Sequence, residues 1–416
     1  MMQSKKKHMK KKKSTAARTI PALLLCFLLL SGALIFVNRN GETAPPEEEK
    51  NSGGEAEAEG GTTEEKEPET PPPPTTEDLL KEYIADLTVE EKVGQLFLMR
   101  YPENGDPAVM ENFKPGGVVL FARDFEQKTP DEVRAELAAC QQNSRVPLLT
   151  SVDEEGGTVT RISRFPQYRS ERFLSPRQLF AEGGWDRILS DTVEKCQLLA
   201  SLGINVNLAP VCDMTADSSS YIYERTFSGD AEGTSEYIRR VVAIMKEQNT
   251  GSVLKHFPGY GGNADTHKGF SVDSRAYSEF TESDFLPFEA GIEAGAGCVM
   301  ISHNIVECMD AESPASMSPE VHRVLREELG FEGVIMTDDL SMLAIANAYG
   351  TEAAAVLAVQ AGNDMLCCTD YDVQIPAVIE AVKSGEISEE RIEESVLRVL
   401  LWKHDLGLVE TEEETV

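Results

Sequence analysis

From about residue 79 onward, short apolar runs alternate with stretches that have a helical period. The apolar runs predict eight strands: LFLM (96–99), GVVLFA (117–122), PLLTSVD (147–153), INVNLAPVCD (204–213), SVLKHF (252–257), CVMISHNIV (298–306), GVIMTD (333–338) and DMLCC (364–368). The stretches between them, such as DEVRAELAACQQN and SEYIRRVVAIMKEQN, predict helices.

Eight strands, each followed by a helix, predict a single (β/α)8 barrel of the TIM type over residues 79–410. An open doubly wound sheet is the alternative architecture. Such a sheet more often has a glycine-rich phosphate loop after its first strand, and this sequence has none. The pattern therefore favours the barrel.

Three segments of different composition precede this domain. Residues 1–18 contain seven lysines, one arginine and no acid, whereas residues 19–37 are apolar and uncharged. Nineteen such residues are long enough to cross a hydrocarbon core of about 30 Å. The rest, residues 38–78, is acidic and rich in proline and glycine. We therefore expect a basic cytoplasmic segment, a transmembrane anchor and a disordered linker.

The basic flank orients the apolar segment with its amino terminus in the cytoplasm. The barrel is then expected on the extracellular face of the plasma membrane, with the membrane contacted through this single N-terminal segment. A cleaved signal peptide is the alternative, because Ser31–Ala33 offers small residues at a suitable spacing. In that case the protein would be secreted.

Composition limits the partners and the redox chemistry. The formal net charge is −32, which argues against nucleic acid as a partner. The eight cysteines show no C-x-x-C spacing, so the sequence predicts free thiols and no disulfide framework.

Polar residues gather at the carboxyl ends of five predicted strands. They are Asp153, Asp213, Lys255, His256, His303, Asn304, Asp338 and Asp339. Polar groups that end a buried strand are costly unless they are partnered. In a barrel these strand ends meet on one face, the face where barrel enzymes carry their active sites. This pattern therefore predicts a site there.

The glycine-rich stretch KHFPGYGGNADTHKGF follows the fifth strand and contains two of the six histidines. Asp265 stands two residues before His267, so in an extended segment both side chains point the same way. A carboxylate bonded to one ring nitrogen leaves the other free to exchange a proton. A loop histidine beside a helix-capping aspartate is the alternative. No H-x-x-x-H spacing is present, so we expect neither a metal nor a cofactor.

Asp338 leaves the seventh predicted strand first and faces the predicted site, which suits a carboxylate nucleophile. The alternative for Asp338 and Asp339 is helix capping and a favourable interaction with the helix dipole, and Asp339 is the better candidate for the cap. A carboxylate nucleophile with a separate proton donor is the arrangement of a retaining glycosidase.

Seven motifs make the chain similar to a known family. VDEEGGTVTRI, INVNLAPVCDM, YERTF, LKHFPGYG, DTH, VMISHNIV and GVIMTDDLSM occur in this order. They resemble the single-domain β-N-acetylhexosaminidases of glycoside hydrolase family 3, and the resemblance covers about three quarters of the chain, from LTVEEKVGQLFL to LWKHDLGL.

The resemblance implies a role for each matching residue. Asp338 would be the nucleophile, His267 the acid/base and Asp265 the group that orients His267. The matching sugar-binding positions are Asp153, Arg161, Arg225, Lys255 and His256. The chain departs from the family pattern at Tyr260, where the family usually has histidine. It also departs at Thr266 and Glu224, but the functional residues beside these two positions are retained.

The resemblance implies a retaining exo-β-N-acetylglucosaminidase that acts as a monomer on peptidoglycan fragments or related β-glycosides. A β-glucosidase or β-xylosidase of the same family is one alternative. A surface protein that binds muropeptides without catalysis is another, although the sequence retains both the nucleophile and the donor.

Overall fold

The structure is a computed structural model that describes residues 73–262, 271–368 and 370–411, all within one compact unit. The predicted segments 1–18 and 19–37 and most of the predicted linker lie outside the described residues. The predicted acid/base pair, Asp265 and His267, also lies outside them. Within the described ranges, we find no helix with the length and apolar character that a bilayer crossing requires.

The described residues form ten strands. They are β1 (Phe97–Arg100), β2 (Gly117–Leu120), β3 (Leu149–Val152), β4 (Val206–Asn207), β5 (Gly251–Phe257), β6 (Val272–Asp273), β7 (Cys298–Ile301), β8 (Ile305–Val306), β9 (Val334–Thr337) and β10 (Leu366–Cys368). Eight of them pair in parallel in the order β10-β1-β2-β3-β4-β5-β7-β9. An isolated parallel bridge between Met336 and Met365 joins the two ends of this order. The result is a nearly closed barrel, as predicted.

Helices surround the barrel. Within the described residues they are α1 (Thr76–Ala85), α2 (Val89–Gln95), α3 (Ala108–Phe113), α4 (Pro130–Gln142), α5 (Pro176–Ser201), α6 (Ala231–Glu247), α7 (Tyr277–Glu279), α8 (Phe285–Glu293), α9 (Pro319–Arg323), α10 (Leu343–Tyr349), α11 (Thr351–Ala361), α12 (Tyr371–Lys383) and α13 (Glu389–Asp405). A π-helical turn, Phe280–Asp284, joins α7 to α8. At least one helix follows each barrel strand, so the predicted strand–helix alternation is confirmed.

Alternate side chains of the barrel strands fill the interior. Leu98, Val119, Val253 and Met336 belong to one buried cluster inside the ring. The intervening residues, such as Met99 and Ile335, belong to clusters shared with the surrounding helices. Because both faces of each strand are buried, the strands had to be apolar along most of their length.

Two predicted strands are interrupted in the structure. The run 204–213 forms only Val206–Asn207 and an isolated bridge at Val211, because Pro210 has no N–H to extend the ladder. The run 298–306 divides at Ser302–Asn304 into β7, which is part of the barrel, and β8, which pairs with β6 outside it. The buried polar side chains at the break therefore mark the end of the barrel strand.

The cysteines within the described ranges have free thiols at Cys140, Cys196, Cys212, Cys298, Cys308 and Cys367. The prediction of free thiols is confirmed for these six. Five of them are buried, and Cys308 is exposed.

Candidate active site

A cavity of about 480 Å³ opens where the carboxyl ends of the barrel strands meet. Its lining includes six of the predicted site residues: Asp153, Arg161, Arg225, Lys255, His256 and Asp338. These six come from four different strand ends and the loops that follow them. The barrel topology thus gathers residues that are up to 185 positions apart in the sequence (338 − 153).

Lys255 projects from β5 and is almost fully buried. Its Nζ lies 2.7 Å from Asp153 Oδ1 and 2.7 Å from Glu155 Oε1. Burial lowers the pKa of Lys255, but the charges of the two carboxylates outweigh burial and raise it above its usual value. Lys255 is therefore a charged, fixed hydrogen-bond donor at the cavity wall.

Glu155 binds a second cation. Arg225 Nε and Nη2 donate to the two carboxylate oxygens of Glu155 at 2.9 and 2.8 Å, a bidentate pair. Burial raises the pKa of Glu155, but the charges of Arg225 and Lys255 outweigh burial and hold it well below its ordinary range. One buried carboxylate thus orients two cations that face the cavity.

Both ring nitrogens of His256 have hydrogen-bond partners. Its Nδ1 lies 2.7 Å from Asp213 Oδ2, and its Nε2 lies 3.2 Å from Arg225 Nη2. A guanidinium can only donate, so Nε2 must accept and Nδ1 must carry the proton that binds Asp213. These hydrogen bonds therefore hold the His256 ring in a fixed orientation beside Arg225.

Asp213 also fixes the backbone at the end of β5. Besides the ring of His256, it accepts the backbone N–H of His256 at 3.1 Å and that of Tyr260 at 2.8 Å. The Tyr260 ring is buried and packs edge-on against the ring of His256, with 5.2 Å between the ring centroids. At the position where the family usually has histidine, the chain therefore places an aromatic ring against a cavity residue.

The loop after β3 is shaped by Glu154, which is fully buried. Its carboxylate accepts the backbone N–H groups of Arg161 and Ile162, both at 2.8 Å. These bonds bring Arg161 back toward the strand end, where its Nη2 lies 3.5 Å from Asp153 Oδ2. Glu154 therefore positions Arg161 at the cavity.

Asp338 follows the last residue of β9 and lines the cavity. Its backbone N–H donates to Ile301 O at 3.0 Å, and its Oδ1 accepts the N–H of Asp339 at 2.8 Å. The capping role considered for Asp339 is wrong, because α10 begins at Leu343 and Asp339 accepts the N–H of Ser341 instead. Asp339 also lines the cavity.

The two polar residues that follow β7, His303 and Asn304, have different surroundings. The His303 ring is buried between Ser316 Oγ at 2.7 Å and Asp339 O at 3.1 Å, so it supports the segment that carries Asp339. Asn304 is fully buried, and its side-chain atoms have no hydrogen-bond partner within the described residues. Neither residue is part of the cavity lining.

Sequence reasoning named Asp153 but missed Glu155 and Glu154. A signal was available for Glu155, because residues two apart in an extended segment point the same way and Asp153 was already assigned to the site. For Glu154 no signal existed, since its role depends on backbone groups seven to nine residues further on.

Some side chains at this face could exchange a proton with a substrate or attack an electrophile. Others could only bind a substrate through hydrogen bonds. Asp338 is a carboxylate at the cavity wall, whereas Lys255, Arg225 and Arg161 are donors for hydroxyl groups. Within the parts of the chain that the structure describes, no group of three or more His, Cys, Asp and Glu residues is arranged to hold a metal ion.

A parallel barrel with carboxylates and fixed donors at the carboxyl ends of its strands has the parts of a sugar-cleaving enzyme. Residues 88–401 match the family described as "Glycosyl hydrolase family 3 N terminal domain". The chain belongs to this family and is a glycoside hydrolase.

Relatives and solved structures agree with this assignment. The chain is 33% identical over 269 residues to a "Beta-hexosaminidase" of Nitrosomonas eutropha, covering 62% of this chain and 74% of that protein. It is 30% identical over 332 residues to "Beta-hexosaminidase LpqI" of Mycobacterium tuberculosis, covering 77% and 84%. A family 3 β-N-acetylglucosaminidase structure from Paenibacillus sp. str. FPU-7 is similar with a TM-score of 0.71 at 30% identity, covering 79% and 67%. A β-N-acetylhexosaminidase structure from Beutenbergia cavernae gives 0.69 at 28%, covering 77% and 99%.

Proposed function

We propose that the protein is a retaining exo-β-N-acetylglucosaminidase that releases terminal N-acetylglucosamine from peptidoglycan-derived fragments or related β-glycosides. The observation that carries this proposal is the position of Asp338 on one cavity with Asp153, Arg161, Arg225, Lys255 and His256. Relatives that bear the name β-hexosaminidase support the choice of sugar.

In the proposed reaction, Asp338 attacks the anomeric carbon and forms a covalent glycosyl ester. Asp153, Lys255 and Arg225 hold the sugar hydroxyls, and their fixed partners keep them from reorganising during the step. His267, oriented by Asp265, protonates the leaving oxygen and later activates water. The role of this pair rests on the sequence motif, because both residues lie outside the described structure.

Replacing the nucleophile tests the proposal most directly. Asp338→Asn removes the attacking charge, so turnover of p-nitrophenyl β-N-acetylglucosaminide should fall at least about 10³-fold, a typical scale for loss of an essential catalytic group. The matched control is Asp131→Asn, whose side chain is 88% exposed on α4 and which should keep the parent rate. Parental activity in the Asp338 variant would show that another residue is the nucleophile.

Trapping the intermediate would report the nucleophile and the sugar together. Incubation with a 5-fluoro glycosyl fluoride of N-acetylglucosamine should add one glycosyl unit to the peptide that contains Asp338, as detected by mass spectrometry. Labelling by the glucose analogue at the same rate, or faster hydrolysis of p-nitrophenyl β-glucoside, would contradict the proposed sugar preference.

The acid role of His267 predicts a dependence on the leaving group. His267→Ala should slow substrates with poor leaving groups, such as disaccharides, far more than activated aryl glycosides, because an activated phenolate leaves without protonation. Measuring kcat/KM on both kinds of substrate checks this. Equal losses on both would rule out the acid role.

We also propose that residues 19–37 anchor the enzyme, with residues 38–78 as a tether and the barrel domain, 79–410, outside the cell. The basic residues before the apolar run and the acidic composition after it support this arrangement. Fractionation of cells that express the full chain should place activity with the membrane, and a variant that lacks residues 1–40 should lose that association. Activity in the culture medium would favour the cleaved signal peptide.

A further inference from the structure

Another cavity, of about 180 Å³, opens at the amino-terminal ends of β5 and β7. Its lining comes from positions within 246–252, from Gly295 and Gly297 before β7, and from the end of α13. Asp338 follows β9 at the other end of the barrel, so this amino-end cavity is separate from the candidate active site. Its volume is less than half of the 480 Å³ of the active-site cavity, which suits a small molecule.

Trp402 of α13 forms part of the wall of the amino-end cavity, although only 5% of the residue is exposed. The indole lies directly on the backbone: an added Cβ at Gly297 would lie 2.2 Å from Nε1, and one at Gly251 would lie 3.0 Å from Cζ2. A buried indole N–H usually has a hydrogen-bond acceptor. No described residue accepts a hydrogen bond from Trp402 Nε1. This N–H is therefore a donor at the cavity wall.

Ser252 of β5 supplies a second polar group to the same wall. The residue is 4% exposed and lines the cavity next to Gly251. Its hydroxyl has no hydrogen-bond partner among the residues that the structure describes. A buried polar group without a partner costs free energy, and a ligand that bonds to it would recover that cost.

Lys246 brings a positive charge to the cavity. It lies in the last turn of α6, where the helix dipole favours a cation. An added Cβ at Gly295 would lie 2.9 Å from Lys246 Nζ, so the ammonium lies beside Gly295, two residues before the glycine that contacts the indole. The ammonium forms no hydrogen bond or ion pair with a described residue. A cation and an indole N–H thus lie against the same three-residue segment, where one small acceptor could reach both.

One acid, Asp405, also belongs to the lining. Its side chain is 79% exposed, so solvent and salt screen its charge. Trp402 and Ser252, in contrast, are buried in the wall. The buried donors and the ammonium therefore favour a ligand that accepts hydrogen bonds and carries a negative charge.

We infer that the amino-end cavity binds a small monocarboxylate. Its two oxygens accept hydrogen bonds from the Lys246 ammonium, the Trp402 indole N–H and the Ser252 hydroxyl. Lysine and tryptophan side chains can only donate, so a carboxylate suits them better than a neutral amide, whose NH₂ group would face a donor. The inference does not depend on the proposed function, because no residue of the active-site cavity takes part in it.

Trp402 can report on its own cavity, because the chain has only two tryptophans. In the variant Trp185→Phe, all indole emission comes from Trp402. Titration with sodium lactate should change this emission saturably with a Kd of roughly 1 mM, a reasonable scale for a ligand of about six non-hydrogen atoms. Lactamide has the same size but no charge, and it should give no saturable change at a tenfold higher concentration. Sodium chloride at equal ionic strength is the salt control.

Substitutions in the Trp185→Phe background test the two other donors. Lys246→Met should weaken lactate binding about tenfold, the scale for loss of a hydrogen bond between charged groups, and Lys246→Arg should retain part of the affinity. Ser252→Ala should weaken it about threefold. The matched control is Lys383→Met: this lysine is 51% exposed, pairs with Glu90 and lies outside the lining, so the parental Kd should remain.

Calorimetric titration of the wild type with lactate and lactamide repeats the central comparison without any substitution. Equal responses to the two compounds, no saturable response, or parental affinity in Lys246→Met would overturn the inference. Equally tight binding of sulfate would overturn the assignment to a carboxylate. Lactate that competes with the aryl glycoside but leaves the Trp402 emission unchanged would place the carboxylate in the active-site cavity instead. None of these results bears on the role proposed for Asp338, which the turnover of Asp338→Asn tests separately.

Discussion

Glu155 orients other side chains of the site and has no proposed contact with the substrate itself. It is almost fully buried, yet it accepts hydrogen bonds from Arg225 in the loop after β4 and from Lys255 in β5. A buried cation is stable only when its charge is compensated and its donors are satisfied. The negative charge of Glu155 therefore allows two cations to stand at the cavity wall.

Glu155→Gln should separate this role from catalysis. The neutral amide keeps the shape but leaves Arg225 and Lys255 short of one negative charge, so the free energy of unfolding should fall by about 3 to 5 kcal/mol. The KM for the aryl glycoside should rise as well, because the two donors lose their orientation. Urea unfolding and steady-state kinetics measure the two effects.

Glu77→Gln is the control for Glu155→Gln. Glu77 pairs with Lys81 on the surface of α1, with 53% of its side chain exposed, and should change stability by less than about 1 kcal/mol. Equal stability changes in the two variants would mean that the buried network does not depend on the charge of Glu155.

At the scale of elements, the connection after β5 is tied together by Arg275. Its Nη1 donates to both carboxylate oxygens of Asp284 in the π-helical turn, at 3.0 and 2.9 Å, and its Nε and Nη2 bind Asp273 of β6. Burial raises the pKa of Asp284 to about 6 against the opposing effect of Arg275. Arg275 Nη2 also reaches the carbonyl of Gly259 at 3.4 Å. The exit of β5 is thereby fixed to the helix that follows it.

Gly259→Ala should disturb this connection. Gly259 has φ of 122°, and an added Cβ would lie 2.4 Å from Asp284 Oδ1, so the variant would be strained and would displace the carboxylate that binds Arg275. We expect a loss of about 1 to 3 kcal/mol in the free energy of unfolding and a lower kcat, since His256 lies three residues earlier. Thermal melts and kinetics on the aryl glycoside check both effects.

Gly262→Ala provides the matched control for Gly259→Ala. Gly262 lies in the same segment, and an added Cβ there would meet no atom of the described residues within 4 Å. This variant should melt like the parent. If the two alanine variants had the same melting temperature, an added Cβ at Gly259 would not disturb Asp284.

At the scale of the whole molecule, the amino-terminal end of the barrel serves stability and the carboxyl-terminal end serves catalysis. The amino-terminal end carries buried polar contacts that join distant parts of the chain. Lys403 of α13 donates to Gln95 Oε1 at 2.7 Å, and Gln95 Nε2 donates to Lys114 O at 3.1 Å. Asp364, just before β10, binds Arg326 and Arg398. Such contacts stabilise the barrel, whereas chemistry belongs to the carboxyl-terminal end.

Lys403 makes stability depend on pH. Burial lowers the pKa of Lys403 to about 7, whereas the unfolded chain should titrate near its ordinary value of 10.5. Between these values the unfolded state holds a proton that the folded state has lost, so stability rises with pH, by up to about 1.4 kcal/mol per unit. Below about pH 7 both states are protonated and the full cost of burying the charge remains.

Lys403→Met should remove this contribution. As the pH rises from 7 to 9, the free energy of unfolding of the wild type should increase relative to that of Lys403→Met. Urea unfolding at several pH values measures this difference. The control is Lys81→Met, because the Lys81 side chain is 57% exposed. The free energy of unfolding of this variant should change with pH in the same way as that of the wild type. A difference between wild type and Lys403→Met that does not change with pH would show that Lys403 titrates normally in the folded protein.

Much of the fold could be read from the sequence because the barrel imposes a strong local pattern. Each barrel strand is buried on both faces, so it must be largely apolar, and each overlaps one of the predicted runs. The strand ends were also readable, since polar groups after apolar runs need a common polar surface. Asp153, Lys255, His256 and Asp338 were found in this way and line one cavity.

The tertiary structure decided which side chains form hydrogen bonds and ion pairs with each other. Glu155 meets Arg225 70 residues away, and Lys403 meets Gln95 308 residues away, and no local pattern encodes such distances.

The sequence by itself determined the strands, the face that carries the chemistry and the family motifs, because these depend on residue type and short spacing. Only the tertiary structure decided which charges are neutralised and which side chains form hydrogen bonds with each other. The physical reason is that electrostatic interactions depend on distance and burial in space, and a chain folded into a ring brings together groups that its order keeps apart.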